Sequence, residues 1–167
     1  MSLLLNDEQR MLRESAREFL SARSPVSALR ALRDRRDALG YDDALWREVV
    51  DLGWPAAALP EAYGGLEIGL KGLAAMFEQI GRTLAATPLL SGAVLGGGLL
   101  QRAGNDKQRQ HWLPRLAAGG ARLALAVDES PRHDPSRTAT TAVPDGSCWR
   151  LHGSKAFVLD GHVAERL

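Results

Sequence analysis

Apolar positions recur at helical spacing through the first 120 residues and change to alternation afterwards. Asn6 and Gln9 have the spacing of a capping box, with Leu5 as a staple residue. The helix they open carries Met11, Leu12, Ala16, Phe19 and Leu20 on its apolar stripe. It should end near Ser24, because Pro25 disfavours helical geometry in the residue before it. A second helix is predicted from Pro25 to Ala38, with Val26, Leu29 and Leu32 facing inward and Gly40 ending it. A third starts on Asp42, carries Leu45, Trp46, Val49, Val50 and Leu52, and stops with Gly53 in a left-handed conformation. Pro55, Pro60, Gly64 and Gly65 make the next stretch a defined loop.

A long helix over 70–86 places Leu73, Met76, Phe77, Ile80 and Leu84 on one face. Thr87-Pro88 opens another, through Leu90, Val94, Leu95, Leu99 and Leu100. Gly92, Gly96, Gly97 and Gly98 inside it predict a buried helix that a neighbouring helix approaches closely, since each glycine otherwise costs about 1 kcal/mol relative to alanine. They do not form a phosphate loop, because no strand precedes them and no Lys-Ser/Thr follows. Asn105 and Gln108 repeat the capping box. They open a helix with Trp112, Leu113 and Leu116, with Pro114 inside and Gly119-Gly120 at its end.

Beyond Gly120, Leu123, Leu125 and Val127 alternate with Ala124, Ala126 and Asp128, a strand pattern. Thr138 to Val143 is a candidate short strand, Asp145-Gly146 a hairpin turn. Trp149–His152 and Ala156–Leu159 are expected as two strands across Gly153-Ser154. The expected fold class is α+β: an all-α helical bundle over residues 1–120, followed by the first strands of a β domain over 121–167.

The balance of 21 basic and 20 acidic residues, net +1, argues against electrostatic capture of nucleic acid or an anionic membrane. The basic cluster Arg23, Arg30, Arg33, Arg35 and Arg36 is interrupted by Asp34 and suits a solvated helix face. The one cysteine, Cys148, cannot form a disulfide within the chain and is expected as a small buried hydrophobe in a strand. No basic leader and no uninterrupted run of 18 apolar residues is present, so a cytoplasmic protein without a membrane association is expected. His111, His133, His152 and His162 lack metal-ligand spacing, and Ser130, Ser136 and Ser154 lie in no nucleophile motif. Asp128-Glu129 closes the strand without an evident second partner. By composition and spacing alone, the chain is a helical domain with a small β segment and no assignable reaction.

The order of several segments adds to this. Asn6 through Leu20, the helix from Trp46 to Gly53, Leu59-Pro-Glu-Ala-Tyr-Gly-Gly65, Gly104 through Gly119, and Leu151 through Gly161 together resemble the N-terminal part of acyl-CoA dehydrogenases. The resemblance spans nearly the whole chain. It implies part of an FAD-dependent oxidoreductase of fatty acid or lipid metabolism that desaturates acyl-CoA thioesters between the α and β carbons. The catalytic carboxylate would lie in a C-terminal domain, so no catalytic residue is assigned within these residues. The family's chains are more than twice as long, and a fragment is expected.

The resemblance implies flavin contacts from Ala126, Val127 and Asp128 and from Phe157, Val158 and Leu159, and substrate contacts from Ser130 and Asp134. The family's usual strand Ala-Leu-Thr-Glu-Pro is replaced by Ala126-Val-Asp-Glu-Ser130, and its Gly-rich turn is missing. Its Trp-Ile-Thr-Asn is replaced by Phe157-Val-Leu-Asp160. Both threonine hydroxyls are lost, and Asp128 places a negative charge where reduced flavin is also anionic. The alternatives are a diverged non-catalytic subunit that supports a catalytic partner, or a stand-alone helical interaction domain. A homo- or hetero-oligomer is implied in either subunit reading, with acyl-CoA as ligand of the full-length protein.

Overall fold

The computed structural model describes residues 4–167. Among the described residues the α-helices are α1 (Asp7–Arg23), α2 (Val26–Asp34), α3 (Asp43–Asp51), α4 (Gly69–Thr83), α5 (Gly97–Ala103) and α6 (Asp106–Ala117). A π-helical stretch, Leu90–Gly96, runs directly into α5. The only regular sheet among these residues is an antiparallel hairpin, β1 (Thr141–Asp145) with β2 (Cys148–His152). The protein is therefore mostly helical with a small two-stranded sheet, as the α+β expectation required.

The capping signals act as read. Asn6 accepts from the Gln9 amide at 2.8 Å while the Gln9 side chain accepts from the Asn6 amide at 3.2 Å. Asn105 and Gln108 form the same reciprocal pair, both bonds at 2.9 Å. Asp42 accepts from the Ala44 and Leu45 amides at 2.9 and 3.0 Å. These bonds satisfy first-turn donors that a helix otherwise leaves unpaired. α1 ends at Arg23, one residue before Ser24, as Pro25 dictates. α2 stops earlier than its apolar pattern suggested, at Asp34, and Arg36 turns left-handed at φ 52°.

The larger core joins α1, α3, α4 and the loop after α3 through Ala16, Leu20, Trp46, Val49, Trp54 and Met76, all buried. Phe19 packs edge-on against Trp54, ring centroids 5.6 Å apart. Met11 departs from the expected stripe and is exposed; Leu84, in a left-handed conformation after α4, is also exposed. A second core gathers Leu59, Leu113, Leu116, Ala121 and Leu123. The loop over 54–65 is folded back on itself: Gly65 donates to the Pro60 carbonyl at 3.0 Å and Glu67 to Leu59 at 3.1 Å.

The glycines of the 88–103 region work at close range, both against the neighbouring helix α6 and against the extended segment at Leu123. A Cβ on Gly96 would come within 2.8 Å of Leu123 Cβ, and one on Gly97 within 2.9 Å of Leu59 and 3.0 Å of Leu116 on α6. The expected α-helix is π-helical over its first part. Such turns leave backbone groups irregularly placed and recur at functional sites.

Three expectations for the β segment need correction. Residues 121–127 form no strand beyond an isolated parallel bridge, Leu123 with Arg166. Ala156–Leu159 is not a strand either: Phe157 and Asp160 adopt φ of 52° and 54°, which breaks extended geometry. β2 instead pairs with the upstream β1, Thr141 opposite His152 and Asp145 opposite Cys148, across a two-residue Gly146-Ser147 turn with Gly146 at φ 62°. Cys148, expected buried, is exposed, because both faces of this hairpin are solvated.

Gly65 marks the tightest backbone approach. A Cβ there would lie 1.8 Å from the Leu59 carbonyl oxygen, which cannot move without disturbing the fully buried Leu59. Gly65→Ala is expected to lower unfolding stability by about 2–4 kcal/mol in denaturant titration. A loss within about 0.5 kcal/mol of zero would contradict this packing.

Candidate functional site

The candidate site lies where residues 121–129 run between the helices and the last turn of chain. Leu123 and Ala124 are buried against the glycine-lined helix, while 125–129 are half-buried. The final residues run alongside: the Glu165 amide donates to the Arg122 carbonyl at 2.8 Å and the Ala124 amide to Arg166 at 3.1 Å. Arg122 Nε donates to the Val163 carbonyl at 3.2 Å. Further along, the Ala156 amide donates to the Asp128 carbonyl at 2.7 Å. The structure thereby brings the two groups of sequence-nominated residues, 126–128 and 157–159, into one region.

Lys155 locks this arrangement. Its Nζ donates to the Val127 carbonyl at 3.1 Å and to Glu129 Oε1 at 2.7 Å. Glu129 also accepts from the Ala139 amide at 2.6 Å, the Thr140 amide at 3.0 Å and the Thr140 hydroxyl. The ion pair is largely sequestered, the side chains 23% and 16% exposed. Lys155, then Thr140 and the Ala139 amide, hold the Glu129 carboxyl at about 2, well below the usual carboxylate range. Sequence reading left Glu129 without a partner. Lys155 lies in the quoted Leu151–Gly161 segment, but 26 residues of separation give no periodic signal.

Asp128 turns elsewhere: His133 Nδ1 donates to its carboxylate at 2.7 Å. Ser130 donates to the Arg132 carbonyl at 3.0 Å, and Asp134 accepts from the Ser136 hydroxyl at 2.5 Å. Both line a cavity of about 310 Å³ with Val127, Glu129, Arg132 and Arg137. Phe157 is exposed; Leu159 and Asp160 line a second cavity of about 360 Å³ with Tyr41, Phe77, Ile80 and Leu90. Asp160 also reaches into the helical domain, accepting from the buried Ser91 hydroxyl at 2.6 Å. Ser91 belongs to the π-helical stretch. This tie was not legible in the sequence. Beside it, His162 Nε2 donates to the Leu39 carbonyl at 3.1 Å.

The amides of Ala126, Asp128, Val158 and Leu159 make no hydrogen bond among the described residues. They are half-buried or flank half-buried chain, so each remains a donor without a backbone partner. Among the described residues no group of three or more His, Cys, Asp or Glu side chains could hold a metal ion. No described helix is long and apolar enough to cross a membrane.

The depressed Glu129 pKa has a definite pH consequence. Its contribution to stability is fully present above the unfolded-state value near 4.5 and is lost as pH falls through about 2. Thermal unfolding followed from pH 6 to pH 2 should therefore show an acid-side loss of stability that shrinks in Glu129→Gln. An unchanged acid limb in that variant would rule out this carboxylate as its source.

Residues 6–120 match the family model described as acyl-CoA dehydrogenase, N-terminal domain. Acyl-CoA dehydrogenase FadE12 of Mycobacterium tuberculosis is 32% identical over 120 residues, 71% of this chain and 31% of that one. The mitochondrial isovaleryl-CoA dehydrogenase of Pongo abelii is 30% identical over 166 residues, covering 98% of this chain and 39% of its own. Among solved structures, the ChsE4–ChsE5 complex of Mycobacterium tuberculosis superposes with a TM-score of 0.85 at 29% identity, covering 98% of this chain and 43% of the other. The chain thus spans between about a third and two fifths of these curated relatives' length. With more than half of its residues matched to the family's N-terminal domain, and the fold in agreement, the chain belongs to the acyl-CoA dehydrogenase family.

Proposed function

We propose that the chain is part of an FAD-dependent acyl-CoA dehydrogenase that removes the α and β hydrogens of acyl-CoA thioesters. Residues 1–120 are its N-terminal helical domain and 121–167 the start of its middle β domain. The observation that carries this reading is the Ala156–Asp128 backbone bond, which sets residues 126–128 beside 157–159, the two groups the resemblance assigns to flavin.

The residues fit the cofactor through backbone rather than side chains. Flavin presents carbonyl oxygens and ring nitrogens, and the unpaired amides of Ala126, Asp128, Val158 and Leu159 are donors of the matching kind. When bound, flavin supplies the hydride acceptor; the chain's own groups hold and orient it. The Leu159 side chain contributes only apolar surface. Asp128 brings a carboxylate, so a reduced, anionic flavin is less stable here than beside the threonine that the family usually carries. His133, donating to Asp128, offsets part of that charge when protonated. Ser130 and Asp134, in the adjoining cavity, are the proposed substrate contacts.

A second reading has specific support. Asp128 and Leu159 together remove both side-chain hydroxyls from the flavin position, and the relative with a TM-score of 0.85 is a complex of two different chains, ChsE4 and ChsE5. The chain would then be a diverged subunit that supports a catalytic partner in a cytoplasmic hetero-oligomer. A homo-oligomer suits the first reading equally.

Visible absorption of the purified full-length protein separates the two. The enzyme reading expects a yellow protein bleached by an acyl-CoA; a colourless protein that gains flavin only with a second subunit would overturn it in favour of the supporting role. Asp128→Thr combined with Leu159→Thr should tighten FAD binding by about tenfold, roughly one recovered hydrogen bond, as measured by flavin fluorescence quenching. Weaker binding in that variant would contradict the assignment of these two positions.

A further inference from the structure

We propose that Arg132 and Arg137 form a binding site for the diphosphate of a nucleotide-bearing ligand, the chemistry common to coenzyme A and a flavin dinucleotide. The inference rests on the reading above and names how the same site holds its most highly charged group.

Both arginines line the cavity of about 310 Å³ that adjoins Val127. Two carboxylates face it, Glu129 and Asp134, and each is already engaged. Glu129 is neutralised by Lys155 and accepts from Thr140 and the Ala139 amide. Asp134 accepts from the Ser136 hydroxyl, and its carbonyl from the Arg137 amide at 3.1 Å. By contrast, neither the Arg132 nor the Arg137 guanidinium makes a hydrogen bond or ion pair among the described residues. On the neighbouring hairpin, Arg150 is fully paired with Asp145, at 2.6 and 3.2 Å. The cavity thus holds two uncommitted planar cations, the donor geometry that matches phosphate oxygens in pairs.

The sequence supplies an independent argument. The family's turn at this point is Gly-rich, and glycine allows backbone amides to curl around an anion. Here no glycine occurs between Gly120 and Gly146, so that kind of cradle is not available. Positive side chains stand in the same interval instead, on either side of Asp134. Binding through these guanidinium groups would be charge-assisted and would weaken with salt.

The test is calorimetric titration of the purified chain with inorganic pyrophosphate, coenzyme A and FAD, each at low and high salt. Arg150→Ala serves as the surface-charge control, and Arg132→Lys with Arg137→Lys as the conservative variant. The expected result is saturable pyrophosphate binding that weakens with salt, falls by about tenfold or more in Arg132→Ala with Arg137→Ala, is partly retained with lysines, and is unchanged in Arg150→Ala. The nucleotide that shows the same arginine dependence identifies the source of the diphosphate. Absence of pyrophosphate binding, wild-type affinity in the double-alanine variant, or an equal loss in Arg150→Ala would each overturn the inference. Coenzyme A or FAD binding that ignores both arginines overturns this inference and leaves the flavin reading intact. Arginine-dependent pyrophosphate binding without affinity for either nucleotide also overturns the inference, since the site would then hold a bare anion and not a nucleotide's diphosphate.

Discussion

Residues 121–129 have almost no regular backbone partners of their own, and the rest of the structure is arranged to hold them. On one side stands the glycine-lined helix, thin enough at Gly96 for Leu123 to press against its backbone. On the other lie residues 155–166, joined to the segment by backbone hydrogen bonds at Arg122, Ala124 and Asp128 and by the Lys155 side chain at Val127 and Glu129. An extended segment with unpaired amides is costly to bury unless something else meets those donors. Keeping 125–129 half-buried avoids that cost, because the amides of Ala126 and Asp128 stay within reach of water or a ligand.

Two ties couple this segment to the helical bundle through the same turn of chain. Asp160 grips Ser91 in the π-helical stretch, and His162 caps the Leu39 carbonyl beyond α2. Buried hydroxyl to carboxylate is a charge-assisted bond, stronger than a neutral one. The left-handed conformations at Phe157 and Asp160 are the local consequence, since chain that must reach back to the helices cannot remain extended. The half of the site that carries Leu159 is thus positioned by the helical domain, and the half that carries Asp128 by Lys155 through its neighbours.

Most of the helical part was legible, because capping boxes, helix-stopping prolines and apolar periodicity are local signals. Asn6, Asp42 and Asn105 all cap as their spacing required. What was misread depended on distant partners. The alternation at 123–127 is a genuine strand pattern, but among the described residues it meets only a single bridge at Arg166. Ala156–Leu159 has strand composition, yet Asp160 at a distance of 69 residues from Ser91 decides its path. The same limit hid Lys155 as the partner of Glu129. Resemblance nominated the 126–128 and 157–159 positions; it could not reveal that Asp128 would be paired with His133 or that Arg132 and Arg137 would remain unpaired.

The proposal that a flavin engages the amides around Asp128 and Leu159 has a direct test. Hydrogen–deuterium exchange of the purified protein, with and without FAD, measures those amides directly. The account predicts slowed exchange over 126–128 and 157–159 when FAD is present, with little change in α1 or α2. Unaltered exchange at both segments under saturating FAD, or protection confined to some other part of the chain, would contradict it.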